Sequence, residues 1–429
     1  MRPMLRGRLN ARCTTSPPDP RRGVTLLTSP PTVIVAGAGI GGLTAALALA
    51  CRGFSVVIFE QAERLEETGA GIQLSPNATR VLIDLGLADR LLPHVVAPAS
   101  LRVRKGRSGR EIARLPLAEA AAARYGAPYW AIHRGDLQAA LASAVAQSAQ
   151  IVVKLGMRVD DFAVHANGVT VSARGRVGAT DERGIALIAA DGLWSAARTR
   201  IGYRAPPRFV GRTAWRALID VADVPPEFAE PAIQLWLGRG AHLVHYPVKG
   251  GRLINAVVIM EDSWNSPGWS EPAPRADLLA RFGSGRWAPA AQSLLSAPQV
   301  WLKWALYRRR PILHWSRGPV ALLGDAAHPM LPYLAQGAAM AIEDAAVAAQ
   351  CLARERDEPG RALRTYSALR RARAWKVQRL SARNGRRYHL TGAGAMLRDR
   401  AMRALGGTRL LQHYDWIYDW RLPSGQSLL

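Results

Sequence analysis

TVIVAGAGIGG, from Thr32 to Gly42, decides the fold of this 429-residue chain. Its first five residues are apolar or β-branched without alternation, the pattern of a strand buried on both faces of a parallel sheet. Gly37, Gly39 and Gly42 then fall at GxGxxG spacing, with Ala38 and Ile40 between them, and Ile40 to Arg52 reads as an Ala- and Leu-rich helix stopped by Gly53. The three glycines serve different ends. Gly37 permits the tight turn, Gly39 lets backbone approach a pyrophosphate, and Gly42 packs helix on strand. The helix N-terminus attracts the phosphates through its free amides and its dipole. Ser55 to Glu60 reads as a second buried strand, which completes a βαβ unit of about 30 residues. Glu60 stands 23 residues after Gly37, where a carboxylate accepts from ribose hydroxyls and disfavours a 2'-phosphate. An ordinary glycine turn needs none of that register, so the segment is read as a dinucleotide cradle with adenosine near Glu60.

Length predicts two or three domains at about 150 residues each. Hydrophobic residues at 49% and charged residues at 21% match an ordinary globular chain. Every apolar run is broken before about 18 residues, so no membrane span is expected. Cys13, Cys51 and Cys351 form no CxxC pair and are odd in number, which argues against a disulfide framework or a metal site and fits a reducing, cytoplasmic setting. The net charge is +25, and with Lys only at positions 105, 154, 249, 303 and 376, 57 − 5 = 52 basic residues are Arg. Base composition of a genome suffices to explain that bias. The local excess runs from Arg361 to Arg409, where 14 basic residues face one acid, Asp399, at spacings that suit the wet side of helices. Nucleic-acid binding would want aromatic platforms or a reading helix beside them, and neither is found. Residues 1–31 carry six Arg against Asp19, with Pro17, Pro18 and Pro20 among them, and read as a disordered extension rather than a signal peptide.

Strand and helix signals continue through Arg134 to Ala146 and Ala186 to Asp191. Between Pro206 and Pro311 Pro, Trp and Val become frequent and Ala falls, and His242 to Val248 and Val300 to Tyr307 alternate as strands of a mostly antiparallel sheet do. The Ala-rich style returns at Pro319 to Leu323, followed by a long helix from Gly337 to about Arg356. The expected architecture is α/β: a discontinuous Rossmann-like domain at 32–205 and 313–375, an inserted antiparallel domain at 206–312, and C-terminal helices at 376–429. Asp191-Gly192 ends one strand, with Ser195 and Arg198 on the next turn; a plain strand-end turn is the commoner meaning of Asp-Gly. Gly324-Asp325-Ala326-Ala327-His328-Pro329 ends another, and Gln336, Gly337, Ala338 and Ala339 open the long helix.

From Thr32 to Tyr418 the chain resembles the single-component FAD-dependent aromatic hydroxylases, nearest salicylate hydroxylase and relatives acting on 3-hydroxybenzoate and 6-hydroxynicotinate. The resemblance rests on GAGIGG with Glu60, GAGIQLSPNA from Gly69, HRGDLQ from His133, ADGLWSAAR from Ala189, LVHYPV from Leu243, SWNSPGWSEP from Ser263, and GDAAHPMLPYLAQGAAMAIEDA from Gly324. It implies FAD as cofactor, with NADH or NADPH and O2 as co-substrates of a small aromatic acid, in a monomer or homodimer. Arg134 is then expected at the FAD pyrophosphate with Gln138 nearby, Asp191 and Gly192 beside FAD and the nicotinamide donor, and Gly324 and Asp325 at the ribityl chain. The loop Pro329 to Gln336 is expected beside the isoalloxazine, with the amides of Gly337 and Ala338 at its pyrimidine edge.

His242 and Tyr246, four residues apart on one strand, share a face while His245 points away; with Pro329 they are the expected catalytic residues. A neutral His can take a phenolic proton near pH 7, and Tyr can hydrogen-bond carboxylate or phenolate. Arg216 is read as pairing either a substrate carboxylate or a structural acid. Pro332 and Tyr333 stand where relatives acting on 3-hydroxybenzoate and 6-hydroxynicotinate tend to show Gln and His, and Arg308 stands where Asp is expected. The reading is a monooxygenase hydroxylating an aromatic acid, salicylate to catechol leading. The alternatives are a same-fold flavin reductase or quinone-precursor hydroxylase, and a basic nucleic-acid-binding flavoprotein without turnover.

Overall fold

A computed structural model describes residues 30–65, 70–176, 178–266, 270–283 and 285–423. The extension expected at 1–31 lies, up to residue 29, outside the described residues. Thr32–Ala36 is a strand with its last four side chains buried, set within a six-stranded sheet. In spatial order the sheet runs Ser316–Arg317, Val320–Leu322, Ala186–Ala189, Thr32–Ala36, Ser55–Phe59 and Ile151–Lys154. All pairings are parallel except that of Ser316–Arg317. Val320–Leu322 pairs directly with Ala186–Ala189, so the nucleotide-type domain is discontinuous, as the sequence predicted. Ile40–Ala50 forms the helix after the glycine loop and is buried nearly all round, which explains its lack of a polar stripe. It packs against the 18-residue helix Gly337–Arg354.

A second sheet has eight strands in the order Glu271–Pro274, Val300–Arg308, Arg208–Asp220, Leu253–Glu261, Ala241–Val248, Ala232–Leu237, Ser100–Lys105 and Glu111–Pro116. It is antiparallel except between Ala232–Leu237 and Ser100–Lys105. Its last two strands therefore come from inside 32–205, and the sheet is not confined to the single insertion read at 206–312. SLRVRK and EIARLP form half-buried strands without a regular alternation of burial, and nothing in their composition marks them as leaving the first domain. A separate antiparallel sheet of Arg158–His165, Gly168–Gly175 and Gly178–Gly184 was not foreseen.

The 30-residue helix Pro359–Tyr388 crosses the boundary expected at 375, and Gly392–Gln412 returns along Glu111–Pro116. Any side chain at Gly407 would stand 1.8 Å from the Arg114 carbonyl oxygen, so the two backbones meet only because that residue is glycine. The basic excess at 361–409 is not all on the wet side. Arg370 is wholly buried, with Nη1 2.7 Å from Glu343 Oε2 and Nε 2.7 Å from Asp344 Oδ1. Arg373 Nε also reaches Glu343 Oε2 at 2.7 Å. Both acids are buried in Gly337–Arg354, where a charge is tolerated only if paired. Asp399, the one acid of the basic stretch, is buried between Lys105 and Arg398.

Burial alone raises the carboxyls of Asp344 and Glu343. His328 and Arg370 at Asp344, and Arg370 and Arg373 at Glu343, outweigh it, holding Asp344 at about 2 and Glu343 below its usual value. Depressed pKa values in the folded state give stability that is present above the unfolded values, about 4, and is lost as pH falls through the folded ones. Denaturant unfolding should therefore show stability falling from about pH 4 towards pH 2. Arg370→Met, which strands two buried carboxylates, should cost about 3–5 kcal/mol at pH 7.

Candidate functional site

The glycine loop shows which of its glycines serve the protein and which serve a ligand. Gly37 has φ +101°, and a Cβ there would lie 2.6 Å from the Ala190 carbonyl oxygen; one at Gly42 would lie 1.9 Å from the Gly37 oxygen. A Cβ at Gly39 would meet nothing within 4 Å. The fold has no steric need of glycine there, and the space beside it is open. Glu60 braces the loop, accepting from Ala38 N at 2.7 Å and from Ala62 N at 2.8 Å. Gln138, on the helix Arg134–Ala146, donates to the Ala38 carbonyl at 3.2 Å, while its Oε1 is buried without a partner.

Asp191 follows the strand Ala186–Ala189. One oxygen accepts from Ala197 N at 3.1 Å; the other is buried with no partner, and burial raises the carboxyl. A strand-end turn thus accounts for half of this side chain. Opposite stands Arg309, buried, its Nε and Nη1 without partners and its guanidinium drawn on by the Asp191 charge. Sequence reading missed Arg309, since LYRRRP offers three arginines and nothing local says which turns inward. Asp325 lies in the turn Gly324–Ala326. Its side chain is solvent-accessible, yet desolvation raises it against the pull of His328 and Arg134; a carboxyl with both properties lines a deep recess. Gly192 and Gly324, at φ +73° and +60°, take left-handed backbone shapes that glycine adopts without the strain a side chain brings. Gly337 and Ala338 begin their helix, whose first amides have no intrahelical partner.

The loop between Asp325 and this helix is held from behind. Gln378 donates to the Pro329 carbonyl at 2.9 Å, Ser381 to that of Leu331 at 2.6 Å, and Tyr388 to that of Tyr333 at 3.1 Å. Ala335 takes φ +52°, a strained shape for a residue with a side chain, of the kind that clusters at ligand loops.

The eight-stranded sheet supplies the facing wall. His242, Val244 and Tyr246 share a face, in register with Ile259, Val257 and Asn255 and then with Ala214, Arg216 and Leu218. Arg216 therefore sits two strands over, at the register midway between His242 and Tyr246. His245 points the other way, accepting from Trp236 Nε1 at 3.1 Å. Tyr246 is buried beside Gln73 and Arg216, and burial keeps its hydroxyl protonated. Asn255 accepts from Gly71 N at 2.6 Å and leaves Nδ2 buried and unpartnered. Arg216 stacks over Trp304 at 5.0 Å, with Nε buried and unpartnered, and no carboxylate among the described residues pairs with it. Desolvation lowers its pKa. A structural ion pair at Arg216 is thus excluded among these residues. Arg134 is felt by both Asp325 and Arg216, which puts it where the glycine-loop side and the sheet wall meet.

His242 is wholly buried, Nδ1 2.9 Å from His389 Nε2, with Tyr333 and Tyr388 against its ring. Burial, His389 and Arg212 hold it well below the usual imidazole range. Tyr333 is buried too, and its hydroxyl accepts from Arg212 Nη1 at 3.1 Å. Pro332 beside it is half-buried. Arg308 is exposed, directly across the strand pair from Arg208. Gln73, Asn255, Arg212 and His389 had no signal of their own; only Gln73 fell inside a recognised motif.

Buried polar atoms without partners are rare, and here Gln138 Oε1, Asp191 Oδ1, Arg309 Nε and Nη1, Asn255 Nδ2 and Arg216 Nε occur from the glycine loop to the sheet wall. Open space beside Gly39, a carboxylate brace at Glu60 and a helix N-terminus at Gly337 accompany them. These residues fit FAD. Residues 31–381 match the family model described as FAD binding domain. The 3-hydroxybenzoate 6-hydroxylase 1 of Aquipseudomonas alcaligenes is 37% identical over 387 residues, 90% of this chain and 97% of that protein. The 6-hydroxynicotinate 3-monooxygenase of Bordetella bronchiseptica is 34% identical, covering 82% of this chain and 91% of its own. A solved salicylate hydroxylase substrate complex superposes with a TM-score of 0.76 at 28% identity, over 92% of this chain and 96% of that one. Gly39→Val should leave the unfolding midpoint of the FAD-free protein unchanged and abolish FAD retention, read from the flavin absorbance of the purified protein. Asp325→Ala should likewise weaken retention, and full occupancy in either would remove that residue from the cradle.

Proposed function

The chain belongs to the FAD binding domain family, and on that premise we propose that it is a monooxygenase using NADH or NADPH and O2 to hydroxylate an aromatic acid, with salicylate to catechol as the leading reaction. The observation that carries the reading is Arg216: a guanidinium with an unpartnered Nε and, among the described residues, no acid to pair with, on the sheet face that also holds His242 and Tyr246. An anionic ring is the ligand that completes it, because hydrogen bonds to a charged group in such surroundings contribute about 1.5–3 kcal/mol each.

When bound, FAD supplies the electron transfer from the nicotinamide and the delivery of one oxygen atom of O2 to the ring. The chain's own residues bind, orient and deprotonate. Gly39, Gln138 and Arg134 hold the pyrophosphate end, Glu60 the adenosine end, and Asp191, Asp325 and the Gly337 and Ala338 amides the flavin end. Arg216 takes the carboxylate of the substrate. His242 is neutral at pH 7, because its burial and the neighbouring cations penalise the imidazolium. Its Nδ1 is occupied by His389, which leaves Nε2 to accept the phenolic proton. Tyr246 stays protonated and donates to the phenolate or carboxylate oxygen. The phenolate pushes electron density onto its ortho and para carbons, so the oxygen is added there. In salicylate the ortho position bears the carboxylate, and addition at that carbon expels CO2. Trp304 and Tyr333 wall the ring, and Pro329 at the head of the loop is held by Gln378.

The 37% identity to a 3-hydroxybenzoate 6-hydroxylase favours 3-hydroxybenzoate as the second reading; its hydroxylation retains the carboxylate. Carbon dioxide release therefore separates the two. Following NADH and NADPH oxidation against hydroxybenzoates and hydroxypyridine carboxylates, with product identification, should show coupled turnover and CO2 from salicylate. Turnover that ignores aromatic acids would overturn the reading. Arg216→Met should raise the KM for the acid about ten- to hundredfold, matching the loss of one such bond. Tyr246→Phe should lower coupled product while leaving FAD bound, and unchanged coupling would remove Tyr246 from the site.

A further inference from the structure

Gly392–Gln412 already has an inward face. Leu411 is buried, Met402 and Leu410 are partly so, and all three pack on the apolar cluster that includes Leu115 and Leu117, along the strand Glu111–Pro116. The outward face of the helix is apolar as well. At about 3.6 residues per turn, Ala393, Leu397, Ala401 and Ala404 fall in one stripe about 80° wide, and each of them is exposed. Met396 and Leu405 flank the stripe, and Leu390 precedes it. Leu397 is 71% and Met396 60% exposed, the two largest values for a large apolar side chain among the described residues. The fold gains nothing by leaving these groups in water, and exposed apolar groups that lie together mark a contact surface.

The charges around the stripe are of one sign. Arg400 and Arg403 line the edge that Met396 occupies. Arg383, Arg386 and Arg387 come from the end of Pro359–Tyr388, which Arg398 ties to this helix by donating to the Arg387 carbonyl at 2.8 Å. All five are exposed, and none is paired with an acid among the described residues. Asp399 is turned inwards to Lys105 and Arg398. A second copy of the chain would bring the same five arginines and no acid to this face, on a body of net charge +25. Nucleic acid would leave the leucines and Met396 in water, and residues 389–412 hold no Tyr, Trp or Phe on which a base could stack. An anionic bilayer meets both requirements: headgroup phosphates take the guanidinium groups, while the apolar side chains enter the boundary with the acyl chains. We propose that this face of Gly392–Gln412 is a peripheral docking surface for an anionic lipid bilayer. The helix lies in the plane of the membrane surface, and no helix among the described residues is long and apolar enough to cross one. The docking is independent of the reaction proposed above, because none of these side chains belongs to the cofactor or ring site.

The FAD-loaded protein is floated on a density gradient with vesicles of phosphatidylcholine alone and with vesicles in which about one-third of the lipid is phosphatidylglycerol. At low salt the wild type should rise with the anionic vesicles and stay behind with the neutral ones; failure to rise with either overturns the proposal. Met396→Gln together with Leu397→Gln leaves every charge in place and should lower the partition coefficient by about tenfold or more. Arg400→Gln together with Arg403→Gln should lower it about twenty- to thirtyfold, at about fivefold per Arg near such a surface. Both pairs are exposed, so FAD retention should be kept, and it reports that each variant is folded. Arg174→Gln together with Arg183→Gln, on the separate three-stranded sheet, should change flotation by less than about twofold. An equal loss in that pair, or none in Met396→Gln with Leu397→Gln, would show that total charge alone holds the protein and would overturn the docking face. Light scattering during gel filtration tests the second copy. A dimer that Met396→Gln with Leu397→Gln splits into monomers assigns the stripe to self-association and sinks the proposal, as does retention on DNA without flotation on anionic vesicles.

Discussion

Two carboxylates with no access to water, Glu343 and Asp344, organise the centre of this molecule. Side by side on Gly337–Arg354, they are tolerable only because Arg370 and Arg373 arrive from the next helix. Asp344 also holds His328 and accepts from Gly324 N at 3.1 Å, and Glu343 accepts from Asn77 Nδ2 at 2.6 Å. One network thus ties the Gly324–Ala326 turn, the helix that begins at Gly337 and the segment after Gly71–Leu74 to a single helix behind them. The loop from Pro329 to Gln336, suspended between the first two, inherits its position from that network. A strained residue such as Ala335 persists there because both of its ends are held.

The second constraint is the shared wall. The nucleotide-type sheet and the eight-stranded sheet would be independent if the chain did not cross between them, and it crosses more than once. Ser100–Lys105 and Glu111–Pro116 extend the second sheet, Gly71 N bonds to Asn255 of that sheet, and Gly392–Gln412 packs along Glu111–Pro116. The polar residues of the inner sheet face therefore look towards the glycine-loop side at a set distance. Arg134, at the head of a helix of the first domain, is felt by Arg216 of the second. Such a site can orient a ring against a bound cofactor without either domain having to close on the other.

The C-terminal region belongs to this machinery. Tyr388, Ser381 and Gln378 support the loop carbonyls, and His389 bonds to His242. The surplus of arginine there has two separate meanings. Arg370 and Arg373 are structural counter-ions, whereas Arg383, Arg386, Arg387, Arg400 and Arg403 are exposed. Charge counting treats them alike because helical spacing shows which residues share a face, but not whether a buried acid lies opposite.

What the amino-acid order determined by itself was everything whose cause is local. The cradle was legible because Gly37 and Gly42 answer to neighbours within a few residues, Glu60 to a strand-helix-strand unit of fixed length, and the shared face of His242 and Tyr246 to the two-residue period of a strand. What only the tertiary structure decided were the partnerships between distant segments: the pairing of Arg370 with Glu343 and Asp344, the inward turn of Arg309 rather than Arg308 or Arg310, the lack among the described residues of an acid opposite Arg216, and the bond between His242 and His389. Each depends on which surfaces lose their water against one another. Local propensity carries no record of that, because the desolvation that makes such a pair obligatory exists only once the chain has folded.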